Sequence, residues 1–134
     1  MKMNLVVVVA ALACGALSMF GANAAEVKQL MAKPLPEAPG REALMLEVSY
    51  PPGAKDMVHR HDAHALVYVI EGTIQMQLEG GPLVTVNAGE TFYEGPDDVH
   101  VIGRNASTSK PARFVVVLIK RKGAPVLTPV NEQK

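Results

Sequence analysis

The stretch Ala65-Leu66-Val67-Tyr68-Val69-Ile70-Glu71-Gly72-Thr73-Ile74-Gln75-Met76-Gln77-Leu78 decides the fold class. Its two halves are rich in β-branched, aromatic and long apolar side chains and are hinged on Glu71-Gly72, a natural turn because glycine tolerates positive φ. The second half, Thr73 to Leu78, alternates polar and apolar residues, so one face of that strand is wet. The first half is apolar from Ala65 to Ile70, as is Phe114-Val115-Val116-Val117-Leu118-Ile119. In an antiparallel sheet such runs need cover on both faces. One face is met by a barrel interior; the other needs a second subunit or the segment Glu26 to Gly40, since a bare apolar patch invites aggregation. A homodimer is therefore expected.

Outward from this hairpin the same texture repeats at roughly ten-residue spacing, the signature of a sandwich or barrel. Strands are predicted over Ala43 to Tyr50, Asp56 to His61, Ala65 to Glu71, Thr73 to Leu78, Pro82 to Val86, Glu90 to Tyr93, His100 to Asn105 and Ala112 to Lys120. They are punctuated by Pro51-Pro52-Gly53, Gly80-Gly81, Asn87-Ala88-Gly89 and Gly95-Pro96-Asp97-Asp98. No helical period competes. Residues 25–40 read as an irregular lead-in arm, in which Pro34, Pro36 and Pro39 exclude any helix beyond a short piece at Glu26 to Lys33. Residues 41–122 read as an all-β barrel and 123–134 as a tail.

The N-terminus carries a different signal. Met1-Lys2-Met3-Asn4 precedes an apolar run from Leu5 to Phe20, and Ala22-Asn23-Ala24 has the A-x-A form of a signal-peptidase site. Residues 1–24 are expected to be a signal peptide cut before Ala25, giving a periplasmic or secreted domain with no stable membrane insertion once the leader is gone. A retained anchor helix is the rival, and its run is short for a membrane span. Ala11-Leu12-Ala13-Cys14 loosely resembles a lipobox but lacks the Leu three positions before the cysteine. Cys14 is the sole cysteine, so the mature domain would hold no thiol and must be stabilised by its core alone.

Composition removes several function classes. With 13 basic and 13 acidic residues in 134, the chain has no net charge and no electrostatic footprint for nucleic acid. No phosphate-cradling Gly-rich loop opens a helix, and no G-x-S-x-G elbow is present. Asn105-Ala106-Ser107 matches a glycosylation sequon, a triplet common by chance.

The histidines carry the chemistry. Three of the four lie in His59-Arg60-His61-Asp62-Ala63-His64, and the fourth, His100, opens a strand after the Gly95 to Asp98 turn. Alternation puts His59 and His61 on one face and Arg60 on the other, so two imidazoles converge as half a metal site. His100 can supply a third nitrogen from across the barrel. His64 is a candidate fourth ligand only if the chain bulges at Asp62-Ala63, because a strict period of two points it away. Asp62, Glu90 and Glu94 read first as solvated charges, with the option of orienting a ligating imidazole. Strand tyrosines Tyr68 and Tyr93 read as packing residues, with pocket lining as the alternative.

Gly53 followed after five residues by His59-Arg60-His61, then an apolar strand ending at Glu71-Gly72, resembles the first motif of the cupin superfamily. Gly89-Glu90-Thr91-Phe92-Tyr93-Glu94-Gly95-Pro96-Asp97-Asp98-Val99-His100 resembles the second. The resemblance implies a single jelly-roll, or double-stranded β-helix, barrel holding a divalent transition metal (Fe, Mn, Ni, Cu or Zn). His59, His61 and His100 fall on ligand positions. The family's acidic ligand does not: its place falls on Ala65 or Leu66, which leaves His64 as the substitute. The second motif also departs, with Gly95 where Pro is usual, Asp97 where Gly is usual and the closing Asn one residue late at Asn105.

An all-imidazole set weakens the case for facial-triad oxygenase chemistry and leaves the ion at a formal charge of about +2, which favours a bound hydroxide or an anionic substrate oxygen. The expectation is an exported metal-dependent enzyme, oxygenase- or isomerase-like, acting on a small anionic organic molecule, with Glu90 or Glu94 as the first general-base candidates. The alternative is a non-catalytic module that binds a metal or a small ligand.

Overall fold

The computed structural model describes residues 23–131. The expected signal peptide and the lipobox-like stretch around Cys14 fall outside the described residues, apart from Asn23 and Ala24. Ten strands form: β1 (Glu26–Pro34), β2 (Arg41–Tyr50), β3 (His59–Arg60), β4 (His64–Glu71), β5 (Thr73–Leu78), β6 (Val84–Asn87), β7 (Thr91–Glu94), β8 (His100–Asn105), β9 (Ala112–Arg121) and β10 (Thr128–Pro129). They build two antiparallel five-stranded sheets, ordered β1-β2-β9-β4-β7 and β10-β3-β8-β5-β6. The all-β jelly-roll expected from the sequence is the fold found.

Strand parity explains the packing. On β4, Ala65, Val67 and Val69 are buried while His64, Leu66, Tyr68 and Ile70 are exposed. On β9, Ala112, Phe114, Val116, Leu118 and Lys120 point inward. With Leu44, Leu46 and Val48 of β2 and Ile74 and Met76 of β5, they make one core between the sheets. Burial of this apolar surface is the main stabilising term in a domain whose described residues contain no cysteine.

The N-terminal segment corrects the expectation of an irregular arm with a short helix. Residues 26–34 form a strand paired antiparallel with β2, from Glu26 opposite Ser49 to Pro34 opposite Glu42, with a register shift between Gln29 and Met31. All nine residues are exposed, so no burial pattern marks the strand; its backbone ladder to β2 holds it. Pro34 sits at its end, where a missing N–H costs little. The strand expected at Asp56 to His61 shrinks to His59–Arg60, the preceding residues forming a loop anchored by the Asp56 N–H donating to the Gly103 carbonyl at 2.8 Å.

The outer face of the first sheet carries Leu66, Tyr68, Ile70 and Tyr93, all exposed. β1 cannot cover them, because β2 and β9 separate it from β4 in the sheet.

Candidate metal centre

Three strands and one turn bring the candidate residues together. His59 on β3 stands directly opposite His100 on β8. His61 follows β3 by one residue, and Glu94 ends β7 with its side chain buried. The chain then reverses through a turn in which the Gly95 N–H donates to Asp98 Oδ2 at 2.6 Å, and re-enters the barrel at His100. His59, His61, Glu94 and His100 each offer a donor atom, all within 4.8 Å of one another, so the cluster could hold a metal ion.

Hydrogen bonding fixes two of the rings. His59 Nδ1 lies 2.8 Å from the Met57 carbonyl oxygen and His61 Nδ1 2.7 Å from that of Val126. A carbonyl only accepts, so each Nδ1 carries a proton, and in the neutral rings each Nε2 presents a lone pair. Those two Nε2 atoms stand 3.2 Å apart. Two lone pairs at that distance repel unless a cation lies between them. Glu94 Oε2 is 3.6 Å from His61 Nε2, and Glu94 Oε1 is 3.4 Å from His100 Nδ1. Glu94 Oε2 and both ring nitrogens of His100 are buried without any hydrogen-bond partner.

Native interiors rarely leave such atoms unpaired, and a shared ion satisfies Glu94 Oε2 together with one of the two His100 nitrogens. Ligands each about 2.1 Å from one ion stand about 3.0–3.4 Å apart at right-angle or tetrahedral positions, close to the 3.2, 3.4 and 3.6 Å separations just given. The donor set of three imidazoles and one carboxylate suits a first-row divalent transition metal.

Burial sets the electrostatics. It pushes the Glu94 carboxyl up to about 7, helped by Asp56 and Asp98, and pulls His100 down to about 4, helped by His59. Burial also lowers His61. Neutral imidazoles are the form that ligates. A Cβ on Gly103 would stand 2.8 Å from His100 Cε1, so glycine makes room for the ring.

The barrel interior beside the quartet is a cavity of about 350 Å³. Its walls include Leu46, Val48, Val67, Phe114, Val116 and Leu118. Tyr50, with no exposed surface, also lines it, packs edge-on against Phe114 and donates its hydroxyl to Asp56 Oδ2.

His64 lies elsewhere. The backbone does turn at Asp62, whose φ is +49°, but β4 starts at His64 with the parity of Leu66 and Tyr68, so the side chain faces outward. Its Nδ1 meets the Tyr93 hydroxyl at 2.7 Å on the exposed surface. A carboxylate is nonetheless present in the cluster: Glu94, and not residue 65 or 66, stands with His59, His61 and His100. Glu90 is not in the site; its carboxylate accepts the Asn87 N–H at 2.7 Å on an exposed turn. Tyr68 and Tyr93 are exposed rather than packed in the core, and Asp62 pairs with Arg121 at 3.0 Å on the surface. Sequence reasoning missed Tyr50 and Asp56 as lining residues, because their contact spans the Pro51-Pro52-Gly53 turn, whose path the sequence leaves open.

Residues 46–118 match the family described as the Cupin domain. No curated protein matches the sequence. Among solved structures, an uncharacterised protein with a double-stranded β-helix domain from Klebsiella pneumoniae superposes with a TM-score of 0.63 at 16% identity, over 81% of this chain and 85% of that one. An oxalate oxidase in complex with the substrate analogue glycolate gives 0.60 at 24% identity, over 81% and 56%. A DMSP lyase from Ruegeria pomeroyi gives 0.58 at 17% identity, over 65% of this chain and only 42% of its own. At these identities the likeness is one of fold.

Proposed function

The chain belongs to the cupin domain family, and from that premise we propose that it is an exported, metal-dependent enzyme, oxygenase- or isomerase-like, whose barrel interior takes a small organic molecule at a transition metal held by His59, His61, Glu94 and His100. The observation that carries this reading is the pair of Nε2 lone pairs of His59 and His61, 3.2 Å apart and aimed at each other by carbonyl acceptors behind them. Bound there, a divalent metal supplies Lewis acidity or oxygen activation.

The protein's own residues set the conditions. Met57 and Val126 hold two rings in the ligating tautomer. The apolar walls exclude water and strengthen electrostatic interactions inside the barrel. Glu94 brings the formal charge of a divalent site to about +1, which favours an anionic oxygen of the substrate. Because Glu94 restores a carboxylate to the donor set, two histidines and one carboxylate can act as a facial set, the arrangement associated with oxygenases. The fold neighbours include enzymes, an oxalate oxidase and a DMSP lyase among them.

Two further parts of the reading rest on the surface and the leader. A second copy covers the exposed Leu66, Tyr68, Ile70 and Tyr93 face, which the N-terminal strand leaves open. Export rests on the sequence of residues 1–24.

The site reading is tested by substituting cobalt and adding azide or glycolate. An altered visible spectrum is expected from an open coordination position; an unresponsive spectrum would indicate a closed structural site and favour the non-catalytic binding module. Light scattering at micromolar concentration tests the dimer, and a monomer would end that part of the proposal.

A further inference from the structure

Apart from the metal-binding quartet, the polar side chains lining the cavity are Tyr50, Lys55 and Asp56. Lys55 is exposed, leaving Asp56 and Tyr50 as the polar feature of an otherwise apolar interior. The Tyr50 hydroxyl donates to Asp56 Oδ2, and the Asp56 backbone is pinned to Gly103 at 2.8 Å. One carboxylate oxygen is thus fixed from behind. Among the described residues Asp56 forms no ion pair, and its Oδ1 takes part in no protein hydrogen bond. Asp56 Oδ2 and His100 Nε2 each lie within 3.1 Å of the point where a Gly103 Cβ would stand, so the carboxylate borders the quartet without belonging to it.

Tyr50 donates to one oxygen of this half-buried carboxylate, and the other keeps lone pairs that can accept from a donor in the apolar cavity. From this arrangement we infer that Asp56, positioned by Tyr50, is the recognition point for a hydrogen-bond donor on the ligand, so that the barrel takes a small, largely apolar molecule bearing a hydroxyl or an amine. The inference deepens the reading of the barrel interior as a small-molecule site and rests on it. Asp56 makes the contact; Tyr50 is a positioning residue that holds the carboxylate in place. The class excluded is a ligand whose anionic group must face Asp56.

The test uses three probes of one shape, benzyl alcohol, benzylamine and ethylbenzene, with binding followed by ligand-observed NMR on the protein as purified and metal content measured on the same samples. Wild type is expected to bind one of the two donor-bearing probes at least about tenfold more tightly than ethylbenzene; which one leads distinguishes an alcohol-type from an amine-type ligand. In Asp56→Leu that preference is expected to collapse while ethylbenzene binding persists. Tyr50→Phe keeps the ring packing and is expected to narrow the preference with metal content unchanged, a result that a purely structural role for the hydroxyl would not produce. If Asp56→Leu does not fold, Tyr50→Phe decides. No donor preference in wild type, or a preference intact in Tyr50→Phe and in any folded Asp56→Leu, overturns the inference. Asp56-dependent selectivity in a protein that binds no metal would leave this inference standing and remove the metal reading; metal binding without such selectivity would do the reverse.

Discussion

His59 and His100 face each other across the β3–β8 ladder as its one register pair, with ring centroids 4.9 Å apart and planes crossed at 65°. The two motifs therefore meet through a single backbone pairing, and the positions of both rings depend on how closely β8 can carry its histidine to β3. Gly103, three residues beyond His100, is the position that allows it.

Gly103→Ala tests that dependence. Its Cβ would stand 2.8 Å from His100 Cε1 and 3.1 Å from Asp56 Oδ2, with His100 least able to retreat inside the barrel. The variant is expected to lose about tenfold or more in metal affinity, as substitutions that disturb ligand orientation do. The strain is expected to cost about 1–3 kcal/mol of stability. Competition with a chromogenic chelator and a thermal melt measure the two effects.

The pH dependence follows from Glu94. Burial pushes its carboxyl from an ordinary value of 4.5 up to about 7 in the folded, metal-free protein, so folding favours its protonated form. The stability this contributes is present in full below the unfolded value and is lost as pH rises through about 7. Glu94→Gln is accordingly expected to stabilise the metal-free protein at pH 8, by about 2–3 kcal/mol at most, and to make little difference near pH 4. Metal must displace that proton, so wild-type affinity is expected to fall by up to about tenfold per unit as pH drops below 7, and competition titrations from pH 8 to pH 6 show it.

Asn105 is a structural staple rather than a modification site. Its amide nitrogen donates to the carbonyls of Tyr50, Pro51 and Lys110, and its carbonyl accepts from the Ser107 N–H, all within 3.2 Å. The side chain is buried and its hydrogen bonds lie within the protein. Asn105→Ala is expected to lower stability by about 2–4 kcal/mol, seen as a shift in the denaturant midpoint. The folded chain, incubated with an oligosaccharyltransferase, is expected to gain no mass at this sequon.

Much of the barrel is legible in the sequence because its central strands announce themselves by parity. Thr73 to Leu78 and His100 to Asn105 are strands over the same residues that their pattern predicts, and the alternation of His59 and His61 puts both rings inward. Parity also argues against His64, which β4 carries outward with Leu66. What stays hidden has no one-dimensional trace. The Glu26 to Pro34 strand buries none of its residues, so it presents no period to read. Glu94 replaces an acidic group sought some thirty residues earlier, and only the closing of β7 against β4, with Glu94 opposite Ala65, shows that the two places are neighbours in space. The Tyr50 to Asp56 contact crosses a Pro-Pro-Gly loop whose path the sequence leaves open.

The most direct test of the account is the metal content of the protein, purified without an affinity tag, beside His59→Ala, Glu94→Gln and His64→Ala. The account predicts about one transition-metal ion per chain, its loss in His59→Ala, a weakened hold in Glu94→Gln, and full retention in His64→Ala. Loss of metal in His64→Ala with retention in Glu94→Gln would contradict the proposed ligand set. A wild-type chain that stays empty after reloading with iron, manganese, nickel, copper and zinc would contradict the metal centre itself.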